Sequence, residues 1–118
     1  MSWLANKIES LDDPGPPVDN SRSLNSTFTP SATKHVLVMY TIEIVNTSGQ
    51  TATVDLCSDA NATPTTVRCS AKLASGQTDG ETVRQQLVFV VTPTHKVKLV
   101  SSGTGTPTIA CQCEMVIS

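Results

Sequence analysis

The sequence predicts an all-β fold: an antiparallel β-sandwich or jelly roll of seven to eight strands, preceded by an extended N-terminal arm. Three observations carry this reading. Apolar and polar residues alternate with a period of two in segment after segment, most clearly in H-V-L-V-M-Y-T-I-E-I-V, residues 35–45. The segments recur about every ten residues with turn chemistry between them, as in a sandwich or barrel. No helix-spaced segment separates consecutive strands, which excludes a parallel α/β architecture. Ser and Thr together make up about a quarter of the chain, a bias toward strands and their solvated faces.

Taken in order, residues 1–20 form the arm and residues 21–118 the sandwich domain. Leu4, Ile8 and Leu11 fall at i, i+4 and i+7, with Ser2 available as a cap, so a two-turn helix is expected over residues 3–11. Such a short helix is marginal alone, so its apolar stripe and Trp3 need a surface to rest on. The next ten residues, L-D-D-P-G-P-P-V-D-N, contain Pro14, Pro16 and Pro17 and are incompatible with helix or central strand. They read as a semi-rigid extended linker. Trp3, Leu4, Ile8, Leu11, Pro14, Pro16 and Pro17 are therefore the candidate docking residues of an arm that grips another subunit, or straps its own sandwich.

The strands follow. Residues 23–29 alternate and end at Pro30, which fits a short edge strand. Residues 35–45 place Val36, Val38, Tyr40, Ile42 and Ile44 on one face, expected to be a central core face. Asn46-Thr47-Ser48-Gly49 turns the chain into residues 51–57, with Ala52, Val54 and Leu56 inward. A polar loop at 58–65 precedes a strand at 66–73, and a second loop follows at 74–80. Residues 82–91 carry Leu87 and Phe89 toward the core and become apolar on both faces in their second half, as a doubly covered strand should. Residues 95–100 bring Val97 and Leu99 inward. The last strand, 108–117, is expected to direct Ile109, Cys111, Cys113, Met115 and Ile117 to one face. Val36, Val38, Tyr40, Ile42, Ile44, Leu87, Phe89 and Leu99 are the predicted core.

The totals exclude several functions. A net charge of −2 with 15% charged residues supplies no basic field for a nucleic acid. No apolar run is long enough to span a membrane, and the charged N-terminus does not resemble a signal peptide, so synthesis in a cytoplasm is expected. The N-x-Ser/Thr triplets at Asn25, Asn46 and Asn61 are then turn and strand-edge residues. Cys57, Cys69, Cys111 and Cys113 lack the C-x-x-C knuckle of a zinc site and read as reduced thiols used as small hydrophobes, a Cys57–Cys69 cross-strand bridge being the alternative. His35 and His95 stand near no nucleophile motif, and Glu43, Asp55, Glu81 and Glu114 lie on separate elements. Gly103 and Gly105 lack the lysine and helix of a phosphate loop. No catalytic residue, metal or cofactor is expected.

Two blocks carry a resemblance. S-R-S-L-N-S-T-F-T-P-S-A-T-K-H-V-L-V-M-Y-T-I-E-I, residues 21–44, and T-P-T-H-K-V-K-L-V-S-S-G-T-G-T-P-T-I-A-C-Q-C-E-M-V-I, residues 92–117, resemble a group of small tailed-phage and prophage proteins taken to be virion components. The resemblance implies a virion component associated with head or tail surfaces; the Ser/Thr-rich composition, the few charges and the strands apolar on both faces add the expectation of a homo-oligomer, a trimer, held on capsid or tail proteins through its arm. Capsid decoration, cement or a head fibre is the first position it suggests. A tail fibre or tail-tip component is the alternative, as is a receptor- or carbohydrate-binding module using loops 58–65 and 74–80. It implies no catalytic residues.

Overall fold

The alternation in residues 36–45 becomes the middle strand of a three-stranded sheet in a computed structural model of the chain, whose described residues are 16–45, 50–74 and 82–117. Seven antiparallel strands form two sheets: β1 (Thr27–Phe28), β2 (Val36–Val45), β3 (Thr51–Asp59), β4 (Val67–Ala74), β5 (Thr82–Val91), β6 (Lys96–Ser102) and β7 (Thr108–Val116). One sheet has the order β1-β6-β3-β4 and the other β5-β2-β7. No helix occurs among the described residues, and so none long and apolar enough to cross a membrane. Trp3, Leu4, Ile8, Leu11 and Pro14 lie outside the described residues, as do the turn at 46–49 and the loop at 75–81.

The pairing is nested. β2 pairs with β7 and β3 with β6, while β4 runs beside β5, so the strands from β2 to β7 fold like one long hairpin rolled into two layers, as in a jelly roll. Side chains rather than a main-chain ladder join β4 to β5: Lys72 N–H donates to Gln85 Oε1 at 2.8 Å, and the Cys69 thiol to Val88 O at 3.8 Å.

The core lies between the sheets. From one come Val36, Val38, Tyr40, Ile42, Ile44, Leu87 and Val91, and from the other Ala52, Val54, Leu56, Ala71, Leu73, Val97 and Leu99, all buried. Phe89 faces inward beside Val38 and packs against this core while only partly buried, with the Arg68 guanidinium 5.9 Å from its ring centre. The pairing of β3 with β4 contains a bulge. Leu56 faces Cys69 and Cys57 faces Val67, leaving Arg68 as the extra residue, turned to donate from Nε to Ser58 O at 3.0 Å.

A second bulge overturns the expected face of β7. Thr41 faces Cys111 and Ile42 faces Ile109, so Ala110 is inserted and every residue after it changes side. Ile109, Gln112, Glu114 and Val116 thus share the inner face with Val36 to Ile42, while Cys111, Cys113 and Met115 join Leu37, Met39 and Thr41 outside. The edge strand expected over 23–29 contracts to Thr27–Phe28, because Asn25 takes a left-handed φ of 62°. Asn25 replaces strand pairing with its own groups: its N–H donates to Leu99 O at 2.7 Å, its Nδ2 to Ser101 Oγ at 2.8 Å, and Oδ1 accepts from Ser101 N–H at 3.0 Å.

Gly103, at φ 105°, closes the β6–β7 turn against β3; an added Cβ would stand 2.5 Å from Thr51 O. Gly105 N–H donates to that same oxygen at 2.7 Å, so the backbone cannot simply withdraw. Gly103→Ala is expected to cost about 2–3 kcal/mol from strain and overlap together, read as a fall in the urea midpoint. An unchanged midpoint would mean that the turn relaxes freely.

Candidate functional site

The densest chemistry lies where the arm meets the sandwich. Residues 16–20 run outside the edge of β7, and Val18 exchanges both main-chain hydrogen bonds with Glu114, each 2.9 Å. Ser21, at φ 53°, then turns the chain so that Arg22 crosses back over the inner face. Arg22 N–H donates to Gln112 Oε1 at 2.6 Å, and Gln112 Nε2 to Arg22 O at 3.3 Å, a side chain completing what a strand would otherwise supply.

Glu114 is the centre. Its carboxylate accepts from Arg22 Nε at 2.9 Å and Nη2 at 3.0 Å, from the Tyr40 hydroxyl at 2.7 Å and from Asn20 Nδ2 at 3.0 Å. The Glu114 side chain is 3% exposed and that of Arg22 20%. Burial alone would raise the carboxyl pKa, but the bonds from Arg22, Tyr40 and Asn20 together outweigh it and hold the group below its ordinary range. Tyr40 moves the other way: burial first, then its bond to the carboxylate, fixes the phenol in its protonated form. Phe28 completes the cluster, with the Arg22 guanidinium 4.2 Å from its ring centre and Tyr40 in edge contact at 6.3 Å.

This arrangement holds rather than reacts. Every oxygen of the carboxylate is engaged, and the phenol that touches it keeps its proton, so neither group is poised to exchange protons with a substrate. What it does is fix residues 18–22 against β7, Val18 along its edge and Arg22 over its inner face. Beside it, Pro16, Val18, Pro30, Val36 and Val116 line a largely apolar cleft of about 160 Å³, to which Asn20 and Glu114 also contribute. Of the candidate docking residues, Pro16 belongs to this cleft and Pro17 is exposed next to it.

A second organised feature is the loop after β3. Asp59 accepts from the N–H groups of Asn61 at 2.9 Å, Thr65 at 3.0 Å and Thr66 at 3.1 Å, and from the Thr66 hydroxyl at 3.0 Å. The Thr65 amide does most to lower the carboxyl pKa; desolvation opposes it, the other donors add to it, and the result is about 2. Because the folded value lies below the unfolded value near 4, this stabilisation is complete above about pH 4 and fades as pH falls toward 2. Urea midpoints measured across that window should drop less steeply for Asp59→Asn than for the wild type. Equal slopes would remove Asp59 from the acid response.

The four thiols are free and do not converge: Cys57 is buried in β3, Cys69 lies in β4, and Cys111 and Cys113 lie on the outside of β7. Among the described residues no three His, Cys, Asp or Glu side chains are grouped as a metal ion would require. Asn20, Arg22 and Gln112 were absent from the residues singled out by sequence, because their partners lie 90 or more positions away. The signal within reach was the alternation of Gln112 and Glu114 in an otherwise apolar strand. No protein-family model matches the chain, and no curated protein matches it.

Proposed function

We propose that the chain is a bacteriophage virion structural protein: a jelly-roll module on the particle surface, as capsid decoration, cement or head fibre, anchored through its N-terminal arm. It is made in the bacterial cytoplasm, assembles with itself as a trimer and binds capsid or tail proteins. The resemblance of residues 21–44 and 92–117 to small phage and prophage proteins supports the reading. The observation that carries it is the Arg22–Glu114 contact, which joins those two blocks at the point where the arm departs. A domain that spends its best-satisfied buried ion pair on orienting a terminal segment is organised to present that segment.

The test is incorporation. Deleting residues 1–15 leaves Val18, Asn20 and Arg22 in place, so the domain should keep its circular dichroism and its oligomeric state by light scattering while disappearing from purified particles. Normal incorporation would remove the anchoring role, and a monomeric wild type would remove the trimer.

A further inference from the structure

The two outer faces of the sandwich differ. Outside the four-stranded sheet lie Thr53, Asp55, Ser70, Lys72 and Lys98, a mostly polar surface in which Val67 and Val100 stand apart from each other among polar neighbours. Outside the three-stranded sheet, the register aligns Leu37 with Val90 and Met115, and Met39 with Val88 and Cys113. Val88 and Val90 are 48% and 42% exposed, and the other four are partly so. The next rows turn polar at Thr41 and Gln86, then end at the Glu43–Arg84 ion pair, 2.7 Å. The apolar patch is therefore bounded, and no described residue covers it.

We infer that residues 3–11 of this same chain dock on that patch. Size is the first argument. Three strands about 4.8 Å apart and two side-chain rows about 7 Å apart make a patch roughly 12–15 Å on a side. A nine-residue helix is about 13.5 Å long and lays down a stripe of that width. The patch offers on the order of 300 Å², well short of the ~800 Å² per partner of a standard interface, so a second copy of the domain is a poor match.

Position is the second argument. The described chain begins at Pro16, packed beside Val116, next to the Leu37–Val90–Met115 row. Residues 12–15 span up to about 13 Å, enough to cross the edge of β7. They include Asp13-Pro14-Gly15, with Pro and Gly in the order a type II turn needs to reverse the chain. Trp3, Leu4, Ile8 and Leu11 then provide the apolar stripe. The inference does not depend on the virion reading; within that reading, the arm has a seat on its own domain before it meets a particle.

Trp3 is the only tryptophan in the chain and reports directly. At dilutions where light scattering gives a monomer, its emission should be blue-shifted and protected from acrylamide. Val88→Lys with Val90→Lys, at exposed positions the fold tolerates, should move it to that of free tryptophan with far-UV circular dichroism unchanged. Independently, deleting residues 1–15 should raise binding of an apolar-surface dye several-fold. Solvent-like emission in the wild type, a blue shift that survives the lysines or vanishes on dilution, or unchanged dye binding would each overturn the proposal. None of these readouts involves particle incorporation, so the two ideas fail separately.

Discussion

Glu114→Ala is expected to destabilise the domain by about 3–5 kcal/mol, the usual cost of leaving one member of a buried ion pair without its partner. The loss is compound. Arg22 keeps its charge beside Phe28 with no counter-ion, the buried Tyr40 hydroxyl loses its acceptor, and Asn20 is released from the edge of β7. Urea denaturation would measure it. The double variant Arg22→Met with Glu114→Leu should recover much of the loss, since a matched apolar pair no longer strands a charge. A double variant as unstable as the single one would show that Tyr40, rather than the ion pair, dominates the energetics of this site. In either case the amides of residues 16–20 should exchange faster once Glu114 is gone.

Ile42→Asp is expected to abolish cooperative unfolding altogether. Ile42 is fully buried between Gln85 of β5 and Ile109 of β7 and faces the opposite sheet. A carboxylate there sits among the apolar side chains of the core, and even protonated it forfeits the packing of a large aliphatic side chain. Together these costs approach the whole stability of an ordinary domain, about 5–15 kcal/mol. Circular dichroism and a thermal scan would reveal it. A variant that still melts in a single sharp transition would mean that the centre of β2 tolerates water, against the packing seen around it.

The two sites also show what the sequence could and could not disclose. Ile42 was legible because its information is local: five alternating apolar residues in a row specify a strand, its inner face and its central place. The strands from β2 onward were found for the same reason. Glu114 was not legible. The alternation in Thr108–Val116 breaks at Ala110, and a bulge is a fact about the partner strand, set by where Thr41 and Ile42 align. Read without it, Cys113 and Met115 point inward and Glu114 outward, the reverse of the structure. Phe89 shares the face of Val38, as its alternation with Leu87 and Val91 implies, but the pattern carries nothing on how far it is covered. The short β1 was overextended because nothing local distinguishes an asparagine in a strand from one turned left-handed beside it. Local pattern sets elements, and long-range register sets faces.

The closed edges bear on how the protein tolerates its own company. Strand edges are the templates by which β proteins add one chain to another and grow fibrils. Here Val18 takes both open bonds of Glu114, Asn25 occupies the flank of β6, and glutamine and cysteine side chains bind β5 and β4 together. These contacts block edge-to-edge pairing of one copy's backbone with another's. Opening these guards, rather than unfolding the core, is the step most able to turn a crowded solution into an aggregate.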